Sequence, residues 1–127
     1  MSAPGWVEAA VAEFGRAAGA ENFALGRAGS AAFSFENGFS LRFEHAGDAL
    51  AIVLTAPSRT DPQSAARLLA YAHPLASRGL AVRTAFFAKD SRAVFVVKMQ
   101  DRDVTVPSLN AAFALLWRCA SEFGGAS

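Results

Sequence analysis

Between Phe33 and Phe43 the chain reads Phe-Ser-Phe-Glu-Asn-Gly-Phe-Ser-Leu-Arg-Phe, two strictly alternating runs hinged at Asn37-Gly38. Alternation on both sides of a glycine-containing turn specifies a β-hairpin. The length of the turn decides which side chains share a face. A two-residue turn pairs Phe35 with Ser40 and Phe33 with Arg42, which sets the two apolar rows on opposite faces. A three-residue loop, Glu36 to Gly38 with Gly38 left-handed, pairs Phe35 with Phe39 and Phe33 with Leu41. That register gathers Phe33, Phe35, Phe39, Leu41 and Phe43 on one face and is the expected one. A two-stranded ribbon is marginal alone, so this face requires more strands and a helical cover.

The remaining chain supplies both. Val7, Ala10, Val11, Phe14 and Ala18 recur at helical spacing over Ala3 to Ala18, with Ser2 as cap, Pro4 in the first turn and Gly19 as stop. Phe23 and Leu25 anchor the following small-residue stretch. Beyond the hairpin, Ala46-Gly47-Asp48 is a turn, and Leu50, Ile52 and Leu54 alternate along a third strand that Pro57 ends. Asp61-Pro62 opens a second helix carrying Ala65, Leu68, Leu69 and Ala72, stopped near His73 by Pro74. Leu80 to Ala88 and Ala93 to Gln100 read as two more strands. The last of these is apolar on both faces, with Phe95, Val97 and Met99 on one and Val94 and Val96 on the other. Either helices cover both faces or another molecule covers one. Leu109, Ala112, Phe113, Leu116, Trp117, Ala120 and Phe123 then mark a terminal amphipathic helix closed by Gly124-Gly125. The pattern is α-βββ-α-ββ-α, an α+β fold with one twisted antiparallel sheet packed by helices, in a single domain over residues 1–127.

Composition narrows the function classes. The 12 basic and 11 acidic residues are scattered and sum to +1, which leaves no electrostatic footprint for nucleic acid. The longest uncharged run, Val104 to Trp117, is too short to span a bilayer and contains Pro107, so no membrane insertion is expected. The opening residues lack a basic region followed by an apolar core, which points to the cytoplasm. Cys119 is the single cysteine and reads as a packing residue. His45 and His73 stand 28 positions apart without an acidic or thiol partner at a suggestive spacing, and read as surface or loop histidines. Asp101 and Asp103 read as solvated turn residues. No catalytic set, metal or cofactor is expected. What needs a purpose is the apolar surplus, 53% of residues, and partner surface is its natural use.

Several stretches resemble the class I chaperones of bacterial type III secretion, the Tir-chaperone or CesT-like group. They are the opening Trp-Val-Glu-Ala-Ala-Val-Ala-Glu-Phe-Gly-Arg-Ala-Ala-Gly, the hairpin, the strand Leu-Ala-Ile-Val-Leu-Thr-Ala-Pro and the terminal Phe-Ala-Leu-Leu-Trp-Arg-Cys-Ala-Ser-Glu-Phe. Val-Phe-Val-Val-Lys-Met-Gln-Asp-Arg-Asp-Val looks most like the invasion-protein-B (SpaK-like) multi-effector branch. The resemblance implies a bacterial cytoplasmic homodimer, or a heterodimer with another chaperone. It implies binding of the disordered N-terminal segment of one or more secreted effectors, which are kept soluble and partly unfolded and presented to the secretion apparatus and its ATPase. On this reading Val7, Val11, Phe14, Phe33, Phe35 and Leu41 form the partner-binding groove. Leu68, Leu69, Tyr71, Val94 and Val96 form the dimer interface. The alternative is a small-ligand-binding or enzymatic domain with a pocket between sheet and helices, where Arg42 or Arg83 orients an anionic group.

Overall fold

The computed structural model describes residues 3–20, 23–57, 82–87 and 92–124. Helix α1 spans Gly5–Ala17, strands β1 to β5 span Ser30–Ser34, Ser40–Ala46, Ala49–Pro57, Val82–Phe87 and Arg92–Gln100, and helix α2 spans Val106–Gly124 after a single 3-10 turn at Asp101–Asp103. The second helix expected from Asp61-Pro62, with Leu68, Leu69, Tyr71 and His73, lies outside the described residues.

The hairpin adopts the three-residue loop. Phe33 pairs with Leu41 and Ser34 with Ser40, and the Phe35 N–H donates to the Phe39 carbonyl at 2.8 Å. Gly38 takes φ +93°, a conformation that costs a residue without Cβ little. The Asn37 side chain accepts from the Phe39 N–H at 3.0 Å, which fixes the loop from within. β2 and β3 continue the meander through the two-residue connection Gly47-Asp48, with Ala46 opposite Ala49.

The five strands are antiparallel and lie in the order β1-β2-β3-β5-β4. The strand that is apolar on both faces, β5, therefore takes an inner place between β3 and β4. Leu54 stands opposite Phe95, Ile52 opposite Val97 and Leu50 opposite Met99. These residues share one face with Leu41 and Phe43, and all are buried. Both described helices lie on that face: α2 runs against β3, β5 and α1.

The start and end of α1 and the start of α2 have local causes. At α1 Pro4 occupies the N-cap position with no side-chain cap, which corrects the expectation of a Ser2 cap with Pro4 inside the first turn. At its other end the Ala20 N–H donates to the Gly15 carbonyl and the Gly19 N–H to the Arg16 carbonyl, with Gly19 at φ +82°. That pair of bonds is a Schellman closure, and Gly19 is the expected stop. α2 begins three residues before the first apolar position read from the sequence. Thr105 and Ser108 cap it reciprocally: the Ser108 N–H donates to Thr105 Oγ1 at 3.1 Å and the Thr105 N–H to Ser108 Oγ at 2.8 Å. Pro107 is harmless there because the first-turn N–H groups have no intrahelical partner.

Candidate functional site

Among the described residues three places hold more chemistry than packing requires: the aromatic rim where the hairpin meets α2, the edge of β1 that meets no described strand, and a His-Asp pair at the opposite end of the sheet.

The rim is built by two elements. Phe33 near the end of β1 and Phe35 just after it face the helices, and Phe113 and Trp117 stand one turn apart on α2. Phe35 stacks on Phe113 with ring centroids 6.0 Å apart and meets Trp117 edge-on at 5.0 Å, while Phe39 approaches Trp117 at 4.8 Å. Inward, the series continues from Phe113 to Phe14 at 5.5 Å and from Phe14 to Phe43 at 5.3 Å. Phe14 and Phe43 are buried, whereas Phe33, Phe35, Phe113 and Trp117 are half-buried. The core thus reaches the surface here as a row of rings. A groove of about 570 Å³ lies on it, lined by Phe35, Phe113, Ala114, Trp117, Arg118 and Ser121.

This arrangement redraws the expected partner groove. Val7, Val11, Phe14 and Leu41 are core side chains between α1 and the sheet, with no surface to offer. Only Phe33 and Phe35 of the six are half-buried; Phe33 meets Phe35, and Phe35 meets Phe113 and Trp117, which helical spacing alone puts on the core face of the last helix. Periodicity identifies an apolar helix face without telling whether the chain's own sheet covers it.

β1 is the outer strand on its side of the sheet. Because Phe35 bonds inward to Phe39 and Gly29 accepts from the His45 N–H at 2.7 Å, the alternate residues Ala32 and Ser34 turn their backbone groups away from β2. Their side chains are exposed. On the sheet face away from the helices, a cavity of about 440 Å³ runs over Ala32, Ser34, Arg42, Val53, Thr55 and Val94. Its two arginines are engaged. Arg42 pairs with Glu44 at 3.1 Å, and Arg92 donates to the Gly38 carbonyl at 2.8 Å and to Thr55 Oγ1 at 2.9 Å. Arg42 lies on this outer face, not between sheet and helices where the ligand-pocket alternative put it. The space between α1 and the sheet holds a cavity of only about 10 Å³ beside Phe14 and Phe23.

Val94 and Val96, expected at a dimer interface, also lie on the outer face. Val94 is buried and Val96 half-buried. Arg83 sits opposite Val96 in the β4–β5 register.

The third place corrects two expectations. His45 is not a surface histidine: its side chain is 4% exposed and its Nε2 lies 2.8 Å from Oδ1 of Asp101, itself 13% exposed. The Asp101 carbonyl accepts from the Trp6 indole N–H at 3.0 Å, and its N–H donates to the Asp48 carbonyl at 2.9 Å. One residue thereby joins the start of α1, the β2–β3 turn and the end of β5. Neither a thiol nor a hydroxyl stands in this network, which gives it the character of a structural tie. Cys119 is buried in α2, and burial pushes its thiol pKa up, with Arg118 pulling partly the other way. Among the described residues no cluster of His, Cys, Asp and Glu is placed to hold a metal ion, and no helix is long and apolar enough to cross a membrane.

Solved structures share this architecture. A chain of the ExsC-ExsE complex superposes with a TM-score of 0.75 at 15% identity, over 97% of this chain and 94% of that one. The structure of the Yersinia pestis type III secretion chaperone SycH with a stable fragment of YscM2 gives 0.72 at 17% identity, over 93% and 99%. A chain of the HopA1-SchA chaperone-effector complex gives 0.66 at 21% identity, over 90% of each. At such identities the likeness establishes the fold. No curated protein sequence matches the chain. Residues 6–123 match the family described as type III secretory system chaperone SycN. The group named from the sequence is thus the right one, while the family matched is that of SycN and not the invasion-protein-B branch that Val94 to Val104 resembles. The chain belongs to the type III secretory system chaperone SycN family.

Proposed function

We propose that this type III secretion chaperone binds a disordered N-terminal segment of one or more secreted effectors as an added strand along β1. Alternate side chains of the segment enter the Phe35–Trp117 groove. The observation that carries this reading is the continuity of the two features: the strand whose edge meets no described strand leads directly into Phe35, whose ring lines the groove. Main-chain bonds to Ala32 and Ser34 supply affinity without demanding a sequence, and the aromatic rim takes apolar side chains. Such binding needs no catalytic group. It keeps the effector segment soluble and partly unfolded in the bacterial cytoplasm until the secretion apparatus and its ATPase receive it. Ordering the segment costs ~2–5 kcal/mol, so the footprint must extend beyond one groove. A homodimer doubles the available surface, and its interface is assigned to the outer sheet face at Val94 and Val96 with Leu68, Leu69 and Tyr71, which lie outside the described residues. A heterodimer would use the same face.

The test is a pull-down from the native bacterial lysate with wild-type, Ala32→Pro and Phe35→Asp proteins, followed by limited proteolysis of what is recovered. Proline at an edge position removes an N–H that the sheet does not use. The wild type is expected to retain proteins whose protected part is an N-terminal segment, and both variants to lose most of that yield while keeping a native circular-dichroism spectrum. Equal capture by folded Ala32→Pro protein would remove β1 from the site.

A further inference from the structure

Of the three arginines lining the two large surface cavities, Arg42 is paired with Glu44 and Arg92 is held by Gly38 and Thr55. Arg118 differs. It is exposed at the wall of the aromatic groove, and among the described residues it has no ion-pair or hydrogen-bond partner. Its neighbours along the groove are Ala114 and Ser121, four residues before and three after it on α2, and the rings of Phe35, Phe113 and Trp117. A guanidinium beside apolar walls is partly stripped of water and pairs most favourably with a planar carboxylate, to which it donates two parallel bonds.

Resting on the reading of this groove as the effector-segment site, we propose that it selects by charge as well as by apolarity. The preferred occupant is a segment with a bulky aromatic or aliphatic anchor and a carboxylate two positions away. In an extended segment, residues two apart share a face and stand ~7 Å from one another. An anchor laid over the rings of Phe35, Phe113 and Trp117 then leaves the carboxylate on the same face, within the span of the Arg118 side chain. The small side chains of Ala114 and Ser121 let the segment's backbone approach α2 closely. Arg118 is thereby a specificity residue: the rings set how tightly any apolar segment is held, and the guanidinium sets which one.

A displayed library of short random segments, panned on wild-type, Arg118→Glu and Trp117→Ala proteins and read by sequencing, tests this. Wild type is expected to enrich aromatic or large aliphatic residues with Asp or Glu two positions away. R118E should recover such segments about fivefold less, the scale of a favourable exposed ion pair, and favour Lys or Arg at that position instead. W117A, checked for a native spectrum, should lose the anchor preference. Identical segment pools without acidic bias from wild type and R118E would overturn the role of Arg118 while leaving effector-segment binding intact. Failure of wild type to enrich any segment over an unrelated control protein would overturn both.

Discussion

The His45–Asp101 pair shows how much one buried contact carries. Its two residues are 56 positions apart, and between them they secure α1 through Trp6 and the β2–β3 turn through Asp48. Removing either partner strands the other in a site with little water, at a cost of ~1–3 kcal/mol. A double-mutant cycle with His45→Ala and Asp101→Ala should therefore be non-additive by ~1 kcal/mol or more in urea unfolding. Additive losses would mean that the two contribute independently. Cys119 gives a second measurement. A buried thiol whose pKa is raised stays protonated in the folded protein where the unfolded chain has begun to ionise. Folded protein should thus react slowly with a thiol reagent near pH 8, and stability should fall as pH rises past the ordinary thiol value of 9.0. Prompt labelling of native protein would contradict the buried placement. His45–Asp101 was invisible in the sequence because nothing local links a strand histidine to a turn aspartate; only the adjacency of β3 and β5 brings them together.

At the level of elements, α1 docks through a glycine. A Cβ built on Gly15 would stand 2.6 Å from Cβ of Phe23, so the helix and the Phe23–Leu25 segment approach too closely for any side chain. Gly15→Ala should destabilise by ~1–3 kcal/mol, the scale of overpacking, although alanine is the better helix former. An unchanged unfolding midpoint would show that the segment can shift without cost. The hairpin was fully legible, down to its pairing, because only one loop length puts five large apolar side chains on one face. The strand order was not, since alternation and turn signals describe strands singly. The groove was half legible. Alternation singles out Phe33 and Phe35, of which Phe35 lines the groove, but not Phe113 and Trp117, because their i,i+4 spacing matches the buried stripe of α2 and only the position of the hairpin leaves their outer edges bare.

For the whole molecule, the sheet has one face under two helices and another that carries Val53 and Val96 half-buried with no described helix above them. The proposed dimer interface lies on that outer face. Val96→Asp is expected to shift the sedimentation coefficient from dimer to monomer, with little loss of secondary structure. A dimer that survives the change would place the two-fold elsewhere. Val94 is a poorer probe, because it is already buried and an aspartate there would test folding as much as association. The strand order also has a consequence for how the protein is made. A ribosome releases β1, β2 and β3 first, so the newborn meander has a bare flank along Ala49–Pro57. The strand that fills this flank, Arg92–Gln100, arrives only after β4 has been synthesised and has moved aside to the margin. At ~5–20 residues per second that interval lasts seconds, during which the chaperone's own sheet has an unpaired inner strand.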